Sequence, residues 1–115
     1  MLTICKYTHL TSIIGNILDN AVEAQENVTG IKRIELLFRM KNDNRVIICK
    51  NTVSESVLQT NKELRSTKKN RQDHGLGHKI VETILKKYDG WVDYFENDGM
   101  FGVQIMLPMP RENSI

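Results

Sequence analysis

Leu10-Thr-Ser-Ile-Ile-Gly-Asn-Ile-Leu-Asp-Asn-Ala-Val-Glu-Ala24 is the stretch of this sequence that decides the fold. Its apolar residues recur at helical spacing, so they share one side of the helix, and that side must be buried. They are Leu10, Ile13, Ile14, Ile17, Leu18, Ala21 and Ala24. A second stripe is polar and carries Asn16 and Asn20 one turn apart. This stripe is either the solvated face of an amphipathic helix or a set of polar groups that needs partners.

Length and composition suit one compact domain. The chain has 115 residues, of which 40% are hydrophobic, enough for a single core and too few for two. A net charge of +2 implies no global attraction to nucleic acid or to an anionic membrane. Cys5 and Cys49 have no metal-ligand spacing and are expected to be free thiols. No signal peptide or membrane-spanning run is evident, so we expect a cytoplasmic piece.

Strand and helix patterns alternate along the rest of the chain. The expected elements are a strand at 2–5, the helix at 10–24, a hairpin of strands at 31–40 and 45–50, a helix from 74–78 to 89–90, and a hairpin of strands at 91–96 and 100–107. Two amphipathic helices and an antiparallel or mixed sheet with one buried face predict an α+β fold. Its architecture is a two-layer α/β sandwich with the helices on one face.

A long polar segment, residues 51–73, interrupts this pattern. A loop of this length inside a small domain is unusual and is typically a functional lid or a disordered segment. It is also the basic part of the chain, with Lys62, Arg65, Lys68, Lys69 and Arg71. The loop is either merely solvated or binds phosphate, on ATP or on nucleic acid.

A glycine pair, Gly75 and Gly77, follows the basic loop and opens the second helix. A helix N-terminus attracts anions, and glycine lets a polyanion approach the backbone closely. The amide side chains of Asn16 and Asn20 can contribute oxygen ligands to a hydrated Mg²⁺. These parts together can form a site for ATP and magnesium. His74 and His78 also have a spacing that suits zinc, but no third ligand is evident.

Three segments carry a family resemblance. Asn16-Ile-Leu-Asp-Asn20-Ala-Val-Glu-Ala resembles the N box of the GHKL ATPase superfamily, which includes gyrase, sensor histidine kinases and MutL. Ser66-Thr-Lys68, followed by His74-Gly-Leu-Gly77, resembles the lid and G2 box of the kinases, and residues 89–108 resemble their closing hairpin. The likeness is greatest to the peptide-sensing quorum kinases of Gram-positive bacteria. It implies a Bergerat-type mixed sheet, with a domain at 1–110, a lid at 51–73 and a frayed tail at 111–115.

The resemblance also implies roles for single residues. Asn20 corresponds to the Mg²⁺ ligand, Asn16 to its neighbour near the phosphates, and Lys68 to a phosphate contact in the lid. The backbone cradle comprises Gly75, Leu76 and Gly77, flanked by His74 and His78. Asn51 stands where the family has an adenine-binding Asp, and the Asp-x-Gly-x-Gly motif of the G1 box is absent. His78 stands where the G2 box usually has Leu.

The resemblance implies the catalytic domain of a sensor histidine kinase. Gyrase-like members have a Glu as general base where this chain has Asn16. An asparagine cannot accept a proton from water, so transfer of the phosphoryl group to a nucleophile is favoured over ATP hydrolysis. The domain would bind Mg-ATP and phosphorylate a histidine on upstream dimerisation helices that the chain lacks. It would therefore not autophosphorylate alone. The resemblance also implies that His9 is not the acceptor.

The full-length protein is expected to be a homodimeric, membrane-anchored receptor that signals to a response regulator and binds no nucleic acid. Two alternatives stay open. One is a pseudokinase or docking module, indicated by Asn51 and His78, and the other is a small nucleic-acid binder that uses the basic loop.

Overall fold

Two helices and four strands make up the part of the chain that the computed structural model describes, residues 7–54 and 72–109, with side chains described outside 72–77. In chain order they are α1 Tyr7–Ala24, β1 Ile34–Lys41, β2 Asn44–Thr52, α2 Gln72–Lys86, β3 Trp91–Asn97 and β4 Met100–Pro108. Every predicted element within these residues is present. The strand expected at 2–5, most of the lid and the tail lie outside the described residues.

The four strands form one sheet in the order β1-β2-β4-β3. All three pairings are antiparallel, so the described sheet is antiparallel rather than mixed. The reason is local: β1–β2 and β3–β4 are hairpins whose turns consist of two residues each. Asp98 and Gly99 both have positive φ, 49° and 74°, the conformation that a tight hairpin turn requires. The two-layer α+β architecture is confirmed.

The main core lies between the helices and one face of the sheet. As the spacing in α1 predicts, Ile13, Ile17 and Ala21 are buried. They belong to the same cluster as Leu85 of α2 and Ile105 of β4. A second, smaller cluster of Val46, Ile48 and Met106, with Phe95 against it, lies on the other face of the sheet. The middle strands β2 and β4 are therefore buried on both faces, although helices cover only one.

Strand β1 is more exposed than its alternating sequence predicts. Phe38 pairs with the buried Ile47 and so faces the helices, yet it is 58% exposed, and Met40 is 55% exposed. Only Leu36 packs against the core. The cause is coverage, because α1 lies over β2 and leaves β1 beyond the edge of the helical layer. The hydrophobic pattern indicated which way the side chains point, but could not show how far the helices extend.

The end of α2 is closed by two residues with different tasks. Asp89 takes the left-handed conformation, with φ of 59°, and the Gly90 amide donates to the Leu85 carbonyl at 2.9 Å. This arrangement satisfies a carbonyl group that a helix end otherwise leaves unpaired. Gly90 is needed for another reason: a Cβ at this position would lie 2.6 Å from the carbonyl oxygen of Met106. The turn therefore lies directly against β4.

We expect Gly90→Ala to lower the free energy of unfolding by about 1 to 3 kcal/mol, because the methyl group would overlap a backbone atom that is fixed in the sheet. Gly15→Ala is the matched control, since nothing lies within 4 Å of a Cβ there. Gly15 is exposed inside α1, so alanine should stabilise the protein by about 0.5 to 1 kcal/mol. Urea unfolding measures both changes. Equal effects of the two variants would contradict the close packing of Gly90 on β4.

Candidate functional site

The two asparagines of α1 lie at the border between core and solvent. Asn16 and Asn20 are both half-buried. The amide nitrogen of Asn16 donates to the carbonyl oxygen of Ser12 at 2.8 Å, a bond inside its own helix. Its nitrogen is thus occupied, and its oxygen is the atom that a ligand would use. Among the described residues, both hydrogen-bond acceptors of this side chain belong to Ser12 of the same helix.

Asn20 differs from Asn16 in its hydrogen bonding. Its Nδ2 atom is buried and has no hydrogen-bond partner within the described parts of the chain. A buried polar group without a partner costs about 1 to 3 kcal/mol, so native proteins seldom keep one without a reason. An amide offers both an oxygen and two N–H donors, so a polar ligand can use either end. The unpartnered N–H donors fit a phosphate oxygen, whereas the amide oxygen is the atom that would ligate a metal such as Mg²⁺.

Asn51, the expected adenine contact, is buried near the end of β2. Only 3% of its surface is exposed, and its Nδ2 donates to the Thr52 carbonyl at 3.2 Å. It pairs with Phe101 across the sheet. The neutral amide can accept a hydrogen bond from an adenine amino group, but it lacks the charge of an aspartate. Nearby in β2, burial raises the pKa of the Cys49 thiol, which makes this cysteine a poor nucleophile.

Gln25 connects the end of α1 to the end of β2, a link that sequence reasoning missed. It is buried, and its Nε2 donates to the Arg33 carbonyl at 2.7 Å. The same carbonyl accepts the backbone N–H of Thr52 at 3.1 Å. The asparagine stripe of α1 and the Asn51 end of β2 are therefore held together through one carbonyl oxygen. A glutamine just after a helix is too common to have predicted this contact.

The glycine pair lies inside α2 rather than ahead of it. α2 begins at Gln72, which places Gly75 and Gly77 in its first two turns. Beyond the first turn of a helix, each N–H donates to the carbonyl four residues back, so it is not free for a ligand. A phosphate cradle at Gly77 would thus require the start of α2 to open. The expected lid also shortens at both ends, because β2 continues to Thr52 and α2 begins earlier.

His78 is the first residue of α2 whose side chain the structure describes. Its Nδ1 atom lies 3.1 Å from the hydroxyl oxygen of Tyr94 on β3. Sequence reasoning assigned Tyr94 only to a strand, and no local pattern could have pointed to a partner on α2. The side chains of His74 and Leu76 and the whole of Lys68 lie outside the described parts, so their roles stay predictions.

The candidate residues converge because the two helices run in opposite directions. Gln25 ties the end of α1 to the end of β2. At the end of α2, Gly90 leads into Trp91, which pairs with Met106 of β4. Met106 in turn pairs with Val46, near the start of β2. The start of α2 therefore lies at the same end of the sheet as the end of α1. At the opposite end, His9 Nδ1 is hydrogen-bonded to the hydroxyl of Tyr88. Asn20, Asn51 and His78 thus lie at one end of the domain.

Among the described residues, no group of three or more His, Cys, Asp or Glu residues is close enough together to hold a metal ion. Neither described helix is both long and apolar enough to cross a membrane.

Comparison with known proteins gives one family and a consistent set of structures. A model of the GHKL domain matches residues 5–108. The sensor histidine kinase NatK of Bacillus subtilis (strain 168) is 28% identical over 105 residues, which cover 87% of this chain and 33% of NatK. This chain thus spans about a third of the length of that relative.

Among solved structures, the nucleotide-free catalytic domain of histidine kinase ThkA has a TM-score of 0.74 at 16% identity, covering 93% of this chain and 71% of that one. The blue-light activated histidine kinase of Erythrobacter litoralis EL346 has a TM-score of 0.70 at 11% identity, covering 93% of this chain and 31% of its own. Histidine kinase AdeS of Acinetobacter baumannii has a TM-score of 0.62 at 14% identity, and the match covers 89% of this chain and 46% of the AdeS chain. At these identities the likeness shows the fold alone.

We expect Asn20→Leu to raise the free energy of unfolding of the ligand-free protein by about 1 kcal/mol, because it removes a buried amide that lacks a partner. Asn16→Leu is the matched control on the same helix. It has the same gain in helix propensity but loses the bond to Ser12, so it should be close to neutral. Urea unfolding without nucleotide compares the two. A less stable Asn20→Leu variant would show that this amide is already hydrogen-bonded in the free protein.

Proposed function

The chain belongs to the GHKL domain family, and from this premise we propose that it is the ATP-binding catalytic domain of a sensor histidine kinase. The observation that carries the proposal is the buried amide nitrogen of Asn20, which has no hydrogen-bond partner among the described residues and lies at the end of the domain where Asn51 and the start of α2 also lie. A polar atom of this kind fits a ligand that carries oxygen atoms, such as Mg-ATP. The similarity to NatK supports the histidine kinase class.

Each residue of the site would have a separate task. Asn20 would hold Mg²⁺, which when bound neutralises charge on the phosphate oxygens. The free oxygen of Asn16 would orient a phosphate-bound water or metal ligand, and Asn51 would accept a hydrogen bond from the adenine amino group. Lys68, together with Gly75 and Gly77, would contact the phosphates once the start of α2 has opened. The site offers positioning and charge neutralisation, and these two effects account for most catalysis of phosphoryl transfer.

The proposal extends to the longer protein of which this domain would be a part. Its acceptor would be a histidine on separate dimerisation helices, and a response regulator would receive the phosphoryl group. We also propose that the full-length protein is a homodimeric, membrane-anchored receptor with this domain in the cytoplasm and that its signal is a quorum-sensing peptide. These partners rest on the family resemblance and on the greater length of NatK.

A second candidate function is a GHKL domain that docks to partners without nucleotide. Two observations favour it: Asn51 is buried with its amide nitrogen bonded to Thr52, and the glycine pair is part of a helix. A nucleotide would have to reach the oxygen of this buried amide and to open the start of α2. Titration of the 115-residue chain with a labelled ATP analogue, with and without Mg²⁺, separates the two functions. A random oligonucleotide in the same assay tests the nucleic-acid alternative.

We expect the chain to bind the ATP analogue only with Mg²⁺, and Asn20→Ala to weaken that binding at least tenfold, because the variant lacks the metal ligand. Val22→Ala is the control, since Val22 is exposed on the same helix two residues away and points to a different side. Fluorescence titration measures both affinities, and a thermal melt checks folding. Equal affinity of Asn20→Ala and the parent chain would remove Asn20 from the site.

We further expect the parent chain to release phosphate from ATP at a rate near background, because the Asn16 amide cannot accept a proton from water. Asn16→Glu should raise the rate, since a carboxylate at this position can act as a base. Asn16→Gln is the matched control, with the same length and no basic group. A phosphate-release assay with Mg-ATP gives the result. Rapid Mg-dependent turnover by the parent chain would contradict the kinase proposal in favour of an ATPase.

A further inference from the structure

One histidine and one tyrosine join the start of α2 to the second hairpin. His78 Nδ1 and the Tyr94 hydroxyl oxygen are 3.1 Å apart, and the two rings meet edge to face at 5.4 Å. The Tyr94 ring also stacks on Phe101 of β4, with 6.0 Å between the centroids and 17° between the planes. Contacts with both α2 and β4 thus fix the tyrosine in position, and His78 is fixed through it.

The Tyr94 hydroxyl and the His78 ring form a hydrogen bond that a single substitution can remove. Burial raises the pKa of the Tyr94 phenol, and the nearby negative charge of Glu82 raises it further. The phenol therefore keeps its proton, so its hydroxyl can either donate to Nδ1 of His78 or accept from it. The tautomer of the imidazole ring decides which of the two atoms donates. Phenylalanine at position 94 would keep the ring packing and remove only this hydrogen bond.

The location of the pair makes it relevant to nucleotide. His78 follows Gly77 directly, and two of the first six residues of α2 are glycines. Glycine is a poor helix former, so the first two turns have little intrinsic preference for this helix. If these turns open, contacts between the rest of α2 and the sheet must hold the helix in place. His78 is the first described side chain that supplies such a contact.

We propose that Tyr94 is a positioning residue for nucleotide binding, which acts through His78 to hold α2 in place directly after Gly77 while the turns before it open for the phosphates. The inference rests on the proposed function, because it names a residue that supports the same site from outside it. Tyr94 lies on β3 and need not touch the nucleotide. The alternative is that Tyr94 contributes only to packing, in which case its hydroxyl would affect stability and not affinity.

The test measures the affinity of the full 115-residue chain for Mg-ATP and its melting temperature in parallel. We expect Tyr94→Phe to weaken binding about fivefold, the effect of losing one ordinary hydrogen bond. Tyr88→Phe is the matched control, because Tyr88 is also hydrogen-bonded to a histidine, His9, but at the opposite end of the helix pair. It should lower the melting temperature by a similar amount and leave the affinity unchanged.

Variants of His78 separate positioning from packing. His78→Leu removes the ring nitrogen and should weaken binding about as much as Tyr94→Phe, and the double variant should be no weaker than either single one. His78→Asn keeps a hydrogen-bonding group near the position of Nδ1 and should retain an affinity closer to that of the parent chain. Additive losses in the double variant would show that the two residues act separately and would overturn the proposal.

The outcomes also distinguish this inference from the function on which it rests. If the parent chain binds no Mg-ATP, the proposed function is wrong and the inference falls with it. If the parent binds and Tyr94→Phe binds equally well, only the inference is wrong. If Tyr94→Phe and Tyr88→Phe weaken binding equally, the effect is a general loss of stability, which also contradicts a positioning role.

Discussion

The packing of α1 and α2 side by side on one face of the sheet is the contact on which the rest of the structure depends. Ile13 of α1 and Leu85 of α2 are almost completely buried in one cluster with Ile105 of the sheet. Each helix has one apolar stripe, so burying both stripes on the same surface sets the rotation of each helix about its axis. That rotation leaves Asn16 and Asn20 at the rim of the core. Their placement is thus a consequence of hydrophobic packing elsewhere.

The direction of the helices matters as much as their rotation. Because α1 and α2 are antiparallel, residues that are far apart in sequence meet at one end of the domain. A different hydrogen bond lies at each end of the domain. Gln25 donates to the Arg33 carbonyl at one end, and His9 is hydrogen-bonded to Tyr88 at the other. Hydrogen bonds of this kind contribute modestly to stability, about 1 kcal/mol each, but they are directional. They specify how the apolar surfaces align, which hydrophobic burial alone leaves loosely defined.

Most of the fold could be predicted from the sequence, because its signals are local. The period of the apolar residues identified both helices and all four described strands, and Asn97-Asp98-Gly99 identified a hairpin turn from three residues. Asn16 and Asn20 could also be selected in advance, since their stripe follows from helical geometry. The exposure of Phe38 could not, because it depends on how far the helical layer reaches across the sheet.

Two contacts near the candidate site could not be predicted from the sequence either. Gln25 meets Arg33, and His78 meets Tyr94, only after the chain has folded, and neither pair has a characteristic spacing. The start of α2 was placed too late because glycines normally mark helix boundaries, whereas here they lie within the first turns. The local preference of glycine was overridden by the rest of the helix.

The pairing of β2 with β4 has a consequence for how such domains vary. Each hairpin is formed by neighbouring segments, but Thr52 pairs with Met100, so this central pairing must close a long stretch of chain. The entropy of closing a loop grows only with the logarithm of its length, and doubling the length costs about 0.6 kcal/mol. The segment between β2 and α2 can therefore gain or lose residues with little effect on the sheet.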